Sequence, residues 1–182
     1  MACNLSAGRQ EVCKESIGGL QGVYFINYTT GSFTKNGSGE VTALPSGSTL
    51  YFYQLKGNSN YTETVTTSRD NGTTFFSQAL VLNLKKLTNE MTTQLKLMAY
   101  GRPQIIVWTN NGDALLVGEK LGADVTAGSI ATGGALGDLY GYSVTFTGME
   151  QLPASFISGS TTSTAIPTSV LNGGTIVYGT NP

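Results

Sequence analysis

The segment PQIIVWT-NNGD-ALLVG, residues 103–118, restricts the fold of this chain more than any other part of the sequence. Two apolar, β-branched runs flank a turn that contains Asn111-Gly112. An Asn-Gly pair tolerates the positive φ angles that tight hairpin turns require. The segment therefore predicts a β-hairpin.

Further segments have the composition of strands, rich in aromatic and β-branched residues and bounded by turn residues. They are residues 22–29, 48–57, 61–68, 73–84 and 140–148. Two shorter runs flank Asn172-Gly173-Gly174, and we expect residues 168–179 to form a second hairpin.

One segment has the period of a helix instead. Its apolar residues recur at steps of three and four, which places them on one face: Leu84, Leu87, Met91, Leu95 and Met98. Thr88 or Asn89 can cap the start, and Gly101 can end the helix. We expect an amphipathic helix over about 84–101, with this stripe packed on the core.

The order of these elements predicts a mainly β domain of the α+β class. We expect an antiparallel β-sandwich or barrel with one inserted helix, long loops and terminal arms. Residues 1–157 would form the sandwich with an N-terminal arm. Residues 158–182 would form a Ser/Thr/Gly-rich extension that carries the second hairpin.

The surface composition favours assembly with other protein. Charged residues make up 12% of the chain, which is about half the share of roughly 25% in ordinary globular proteins. The net charge is −1, with no basic stripe of the kind that grips nucleic acid. The sequence contains no run of 18 apolar residues that would predict a membrane span, and its N-terminus does not resemble a secretory signal. We therefore expect no membrane partner and a cytoplasmic origin.

The residues needed for common enzyme chemistry are missing. The chain has no histidine, which excludes Ser-His-Asp and Cys-His arrangements and leaves zinc without imidazole ligands. Cys3 and Cys13 are expected to be free thiols. Asp113, Asp124 and Asp138 lie near loops, where calcium binding is an alternative to a role in turns. We expect no enzyme activity, no metal and no cofactor.

The glycine-rich segment at 122–139 has two possible functions, phosphate binding and contact with other protein. Its glycines lack the Lys-Ser/Thr sequence of a P-loop and the Rossmann spacing, so contact between subunits is the preferred interpretation. The candidate contact residues are Gly128, Gly133, Gly134 and Gly137. The loop at 30–47 is a second candidate for contacts between rings.

Two stretches resemble virion structural proteins of tailed bacteriophages, and most of all the tail tube family. They are MACNLSAGRQEVCKESIGGLQGVYFINY, at the N-terminus, and ALVLNLKKLTNEMTTQLKLMAYGRPQIIVWTNNGDALLVG, which joins strand, helix and hairpin. The resemblance covers most of residues 1–157 and rests on element order. It implies a β-sandwich flanked by a helix that forms stacked, usually hexameric, rings.

The resemblance also implies a function and a location. Successive subunits would join their sheets into a barrel through which DNA passes as cargo, with other virion tail proteins as partners. The protein would be assembled in the host cytoplasm and reside in the virion tail. Since phosphates should slide along the wall, neutral or acidic residues are expected there. Glu40, Glu63 and Asp70 are candidates for lumen charges.

Other functions remain open on the sequence. A fibre or baseplate module could bind surface glycans through exposed Tyr51, Tyr53 and Tyr61. Trp108 could also stack on a sugar or a base, although its position in an apolar run favours packing. A neck or capsid decoration protein would share nearly all these features. An enzyme with Ser/Lys or carboxylate chemistry is a third alternative.

Overall fold

A computed structural model describes residues 7–11 and 13–179 of the chain. In this part, twelve strands and two helices follow one another. The strands are β1 (Leu20–Ile26), β2 (Thr34–Lys35), β3 (Val41–Ala43), β4 (Thr49–Gln54), β5 (Asn60–Ser68), β6 (Thr73–Lys85), β7 (Gln104–Thr109), β8 (Ala114–Val117), β9 (Ala123–Ala131), β10 (Gly141–Glu150), β11 (Ser155–Phe156) and β12 (Thr175–Tyr178). The helices are α1 (Asn89–Tyr100) and α2 (Thr168–Leu171). Cys3, and with it the question of its pairing, lies outside the described residues.

The strands form a six-stranded sheet, a four-stranded sheet and a two-stranded ribbon. The six-stranded sheet has the order β11-β8-β7-β1-β4-β12, and the four-stranded sheet the order β5-β6-β10-β9. The ribbon joins β2 to β3. All pairs are antiparallel except β12 with β4. This mainly antiparallel, β-rich architecture confirms the predicted fold class.

The first core fills the space between the two large sheets. The four-stranded sheet and α1 cover one face of the six-stranded sheet, and strand alternation sends Val23 and Phe25 of β1 to this side. We call this cluster core 1; its buried members are Leu20, Val23, Phe25, Leu55, Leu80, Leu82, Ile105, Val107, Val117, Ala123, Tyr142, Val144 and Phe146.

A second core covers the opposite face of the six-stranded sheet. The ribbon and the segment 157–171 pack there against Tyr24 and Ile26, the alternate residues of β1. We call this cluster core 2; its buried members are Tyr24, Ile26, Phe33, Val41, Leu44, Leu50, Ile106, Ala114, Leu116, Ile157, Ala165, Ile166 and Val170. A sheet covered on both faces needs continuous apolar strands, which explains the apolar runs of β1 and β7.

The helix is present but starts later than the apolar period suggests. Thr88 is the N-cap, its hydroxyl accepting a hydrogen bond from the Met91 amide, and Gly101 ends the helix. Leu84 instead belongs to β6, where it pairs with Tyr142. Lys86 has φ 69°, which neither a strand nor a helix contains. The predicted start at 84 is wrong because one apolar stripe runs from strand into helix.

The predicted hairpin at 168–179 is also wrong. Residues 168–171 form α2, and Asn172 (φ 49°) and Gly173 (φ 74°) then turn the chain. β12 pairs with β4 in parallel, not with the preceding segment. The turn signal was real, but it ends a short helix whose Val170 is buried in core 2.

The predicted loop at 122–139 is largely a strand. Ala123–Ala131 form β9, which pairs with β10 and contains Gly128 opposite Val144. The loop itself spans residues 132–140. The glycine content masked a strand because the small residues of β9 lie at an exposed sheet edge, where packing against other elements does not require large side chains.

Candidate functional site

The two edges of the four-stranded sheet, β5 and β9, are open along most of their length. Each strand is nine residues long and pairs on one side only, β5 with β6 and β9 with β10. Neither contains Lys or Pro, the residues that usually block an edge. Within the described residues, the Ala123 amide donates to the Pro103 carbonyl, and no further backbone hydrogen bond outside the strand ladders engages either edge. Both edges can accept another strand.

The two edge strands run in opposite directions. β5 is antiparallel to β6, β6 to β10, and β10 to β9, so β5 and β9, with two strands between them, point in opposite directions. A second copy placed beside the first, in the same orientation along the sheet, would therefore set its β9 antiparallel to β5. Such a contact joins two different surfaces, and heterologous contacts of this kind generate rings or filaments.

The outer face of the four-stranded sheet, which points away from core 1, is almost uncharged. Most of its strand positions carry hydroxyls and small side chains: Thr62, Thr64, Thr66, Ser77, Ala79, Thr126, Ser129, Ser143, Thr145 and Thr147. Three large apolar side chains also occupy outward positions, namely Phe75, Val81 and Met149. Thr126 and Thr147 share a hydrogen bond of 2.9 Å between their hydroxyl oxygens. The charged residues at outward positions are Asp124 and, at the end of β6, Lys85. The face offers hydrogen-bonding groups without a net charge.

The inner face of the same sheet contains a buried polar bridge. The Gln78 side chain amide donates to Glu63 Oε1 at 3.1 Å, and its oxygen accepts from the Gly118 amide at 2.9 Å. Glu63 also accepts from the Ala154 amide at 3.0 Å. Burial and the charge of Glu63 raise the pKa of neighbouring Tyr61. The bridge ties the two sheets together at the end of core 1.

The three acidic residues predicted for a lumen lie in three different places. Glu63 is on the inner face, as described above. Glu40 lies beside the turn of the β2–β3 ribbon, where it accepts a hydrogen bond of 2.7 Å from the Asn36 side chain. Asp70 is exposed in the turn between β5 and β6. The fold does not bring these carboxylates onto one surface.

The loop at 132–140 is organised by one aspartate. Asp138 Oδ2 accepts hydrogen bonds from the amides of Gly134 (2.9 Å) and Ala135 (2.8 Å), which lowers the pKa of Asp138. A Cβ on Gly133 (φ 72°) would lie 2.8 Å from the Asp138 Cβ. Asp138 therefore acts as a turn residue, and Gly133 and Gly134 allow the backbone to fold around its carboxylate.

Exposed apolar side chains lie at both ends of the four-stranded sheet, and the sequence did not single them out. Val65 is 60% exposed on the β5–β6 hairpin, which extends past the end of β10. Ile130 lies on the β9–β10 hairpin at the opposite end, and Leu136 and Tyr140 are exposed in the adjoining loop. Apolar groups at the protruding ends of a sheet are typical of surfaces that contact other protein.

Of the aromatic residues considered for sugar stacking, Tyr53 and Tyr61 pack against core 1 and do not form an exposed platform. Tyr51 is the most exposed of the three. Trp108 packs on core 2, and its indole nitrogen donates to the Thr161 carbonyl at 2.9 Å. The interpretation of Trp108 as a packing residue is confirmed.

Neither helix within the described residues is long and apolar enough to cross a membrane. The described part of the chain also holds no group of three or more Cys, Asp or Glu side chains that could bind a metal ion. No family model matches the sequence, and no curated protein matches it. Among solved structures, a chain of the "Virion of native gene transfer agent (GTA) particle" is similar, with a TM-score of 0.37 and 11% identity. That alignment covers 59% of this chain and 89% of the other.

Proposed function

We propose that this protein is a virion structural subunit, a tail tube protein that polymerises edge to edge into rings, which stack into a tube for DNA. The observation that carries the proposal is the pair of open edges of equal length and opposite direction, β5 and β9. Each copy would donate β9 to the β5 of its neighbour. Main-chain hydrogen bonds then supply affinity whatever the side chains are.

The outer face of the four-stranded sheet would line the lumen. Its threonine and serine hydroxyls hydrate the wall, and the near absence of charge gives phosphates nothing to bind tightly. On this proposal Asp124 replaces Glu63 as a lumen carboxylate, since Glu63 faces the core. The assignment of Glu40 and Asp70 as lumen charges stays a prediction.

The dimensions are compatible with DNA passage. Six copies of the four-stranded sheet would form a barrel of about 24 strands, spaced about 4.8 Å apart. At a strand tilt of about 40°, the backbone diameter is about 48 Å. Side chains on opposite walls occupy roughly 10 Å of this width, and the remaining lumen admits a duplex.

Strand pairing alone would bury less than the roughly 1,200–2,000 Å² of a stable interface. The apolar residues at the ends of the sheet supply further contact area, with Val65 near one edge and Ile130 near the other. The loop at 132–140, with Leu136 fully exposed, joins β9 to β10 at one end of these strands, and on this proposal it would contact the next ring. Other virion tail proteins would meet the terminal rings through the same surfaces.

Light scattering after gel filtration, combined with negative-stain electron microscopy, tests the proposal. The purified chain should form species that are multiples of 19.1 kDa, and the images should show rings or tubes with a central channel. A monomer at every salt and protein concentration, with no rings in the images, would contradict it.

A further inference from the structure

A groove of about 510 Å³ lies on the core 2 side of the six-stranded sheet, remote from the two open edges. Four neighbouring strands, β7, β1, β4 and β12, form its floor, and residues 163–166 form a wall. The volume falls within the range of about 300–1,000 Å³ that is typical of small-ligand sites. Because the groove crosses three strand spacings, it is roughly 14 Å long, enough for a short oligomer.

Aromatic rings cover much of this floor. The ring centroids of Tyr24 and Phe52 are 4.7 Å apart, and those of Phe52 and Tyr178 are 5.5 Å apart. Phe52 lies directly against the backbone of β1, because a Cβ on Gly22 would be only 2.5 Å from its Cε2 atom. Glycine at position 22 is thus required for the ring to lie low in the groove.

Unused hydrogen-bonding groups surround the rings. Within residues 7–11 and 13–179, the side chains of Gln21 and Gln54 have no hydrogen-bond partner, and both line the groove. Tyr24 is only 4% exposed, yet its hydroxyl also lacks a partner in this part of the chain. The oxygen of this hydroxyl is not enclosed, so a ligand in the groove can hydrogen-bond to it in place of water.

We propose that this groove binds a neutral oligosaccharide. The residues that line it include no charged side chain, so the ligand should carry none. The C–H face of a sugar ring packs on aromatic rings, and glutamine amides offer both donors and acceptors to its hydroxyls. A peptide is less suited, since it would need an unpaired strand edge running along it, and the groove runs across the strands.

The test is binding of maltotriose, cellotriose and tri-N-acetylchitotriose to the full chain, followed by amide NMR, with trigalacturonate as an acidic probe. At least one neutral trisaccharide should shift the side chain amide signals of Gln21 and Gln54. Tyr178→Ala, at a side chain that is 63% exposed, and Gln54→Ala should each weaken binding at least tenfold. Tyr100→Ala, on α1 outside the groove, should leave binding unchanged.

Three outcomes would overturn the proposal: no shift with any neutral trisaccharide at about 10 mM, which is well above the Kd of a weak site; unchanged binding by the folded Tyr178→Ala and Gln54→Ala proteins; or equal binding of trigalacturonate. The groove shares no residue with β5 or β9, so these results are independent of whether the protein forms rings.

Discussion

Glu63 Oε1 lies 3.1 Å from Gln78 Nε2, and this hydrogen bond joins β5 to β6 on the face of the sheet that meets core 1. The same carboxylate oxygen accepts the Ala154 amide. In the sequence, Glu63 looks like a surface charge because it lies in an alternating, Thr-rich strand. In the structure, its carboxylate faces core 1 and accepts hydrogen bonds there.

Replacement of Glu63 should destabilise the fold. Glu63→Ala leaves the Gln78 amide and the Ala154 amide without their acceptor, and we expect the free energy of unfolding to fall by about 1–3 kcal/mol. Glu63→Gln keeps an acceptor oxygen and should cost less. Urea denaturation measures both. Thr62→Ala, on the outer face of the same strand, is the control and should stay within about 0.5 kcal/mol of wild type.

Lysines on one edge strand should stop assembly, and mixing the two blocked variants should show whether β9 of one copy pairs with β5 of the next. We expect Thr64→Lys with Thr66→Lys to block β5, and Ala127→Lys with Ser129→Lys to block β9, since lysine discourages strand pairing at an edge. Each variant should be monomeric alone. Mixed together they should form a 1:1 dimer and nothing larger, because each retains one intact, complementary edge. Light scattering reads out the mass.

Two lysines on the exposed face of α1, Thr93→Lys with Ala99→Lys, make the matched control and should still assemble. A β5-blocked variant that dimerises by itself would instead indicate β9–β9 pairing. That result would contradict the head-to-tail contact on which ring formation depends.

The C-terminal segment should behave as part of the core. Ile166 is buried in core 2, and Ile166→Ala should lower the free energy of unfolding by about 2–5 kcal/mol through lost burial and a cavity. Ile130→Ala makes the same chemical change at an exposed position on β9 and should cost about 0.5 kcal/mol or less in the monomer. Equal effects of the two substitutions on thermal unfolding would show that segment 157–171 does not stabilise the sheet.

Tyr24 should impose a pH dependence at alkaline pH. Burial, with the neighbouring Tyr178, raises the pKa of Tyr24 from 10.0 to about 12. The unfolded chain therefore loses this proton at lower pH than the folded chain does. The free energy of unfolding should fall as pH rises from about 10 to 12. Below this range Tyr24 is protonated in both the folded and the unfolded chain, so it adds no pH dependence there.

Tyr24→Phe removes this component. The tyrosinate absorbance should lose one late step near pH 12, and the unfolding free energy should fall less steeply above pH 10. If the absorbance lost in the folded Tyr24→Phe protein belongs to the step near pH 10 instead, burial does not raise the pKa of Tyr24.

Local signals in the sequence were reliable where one element decided the structure. The Asn111-Gly112 turn and its flanking apolar runs predicted the β7–β8 hairpin, and Thr88 and Gly101 marked the ends of α1. These local signals gave a wrong boundary where one apolar pattern continued across two neighbouring elements. The apolar stripe from Leu84 to Met98 continues from β6 into α1, because both pack on core 1.

The sequence by itself determined the β-rich class, the turns, the helix and the low charge, since these depend on backbone preferences and composition over a few residues. Only the tertiary structure decided that β12 pairs with β4 in parallel, that Glu63 faces the interior, and that β5 and β9 are the open edges. Strand neighbours are chosen by contacts between residues far apart in the chain. A strand sequence records which side chains need burial, but not which backbone will lie beside it.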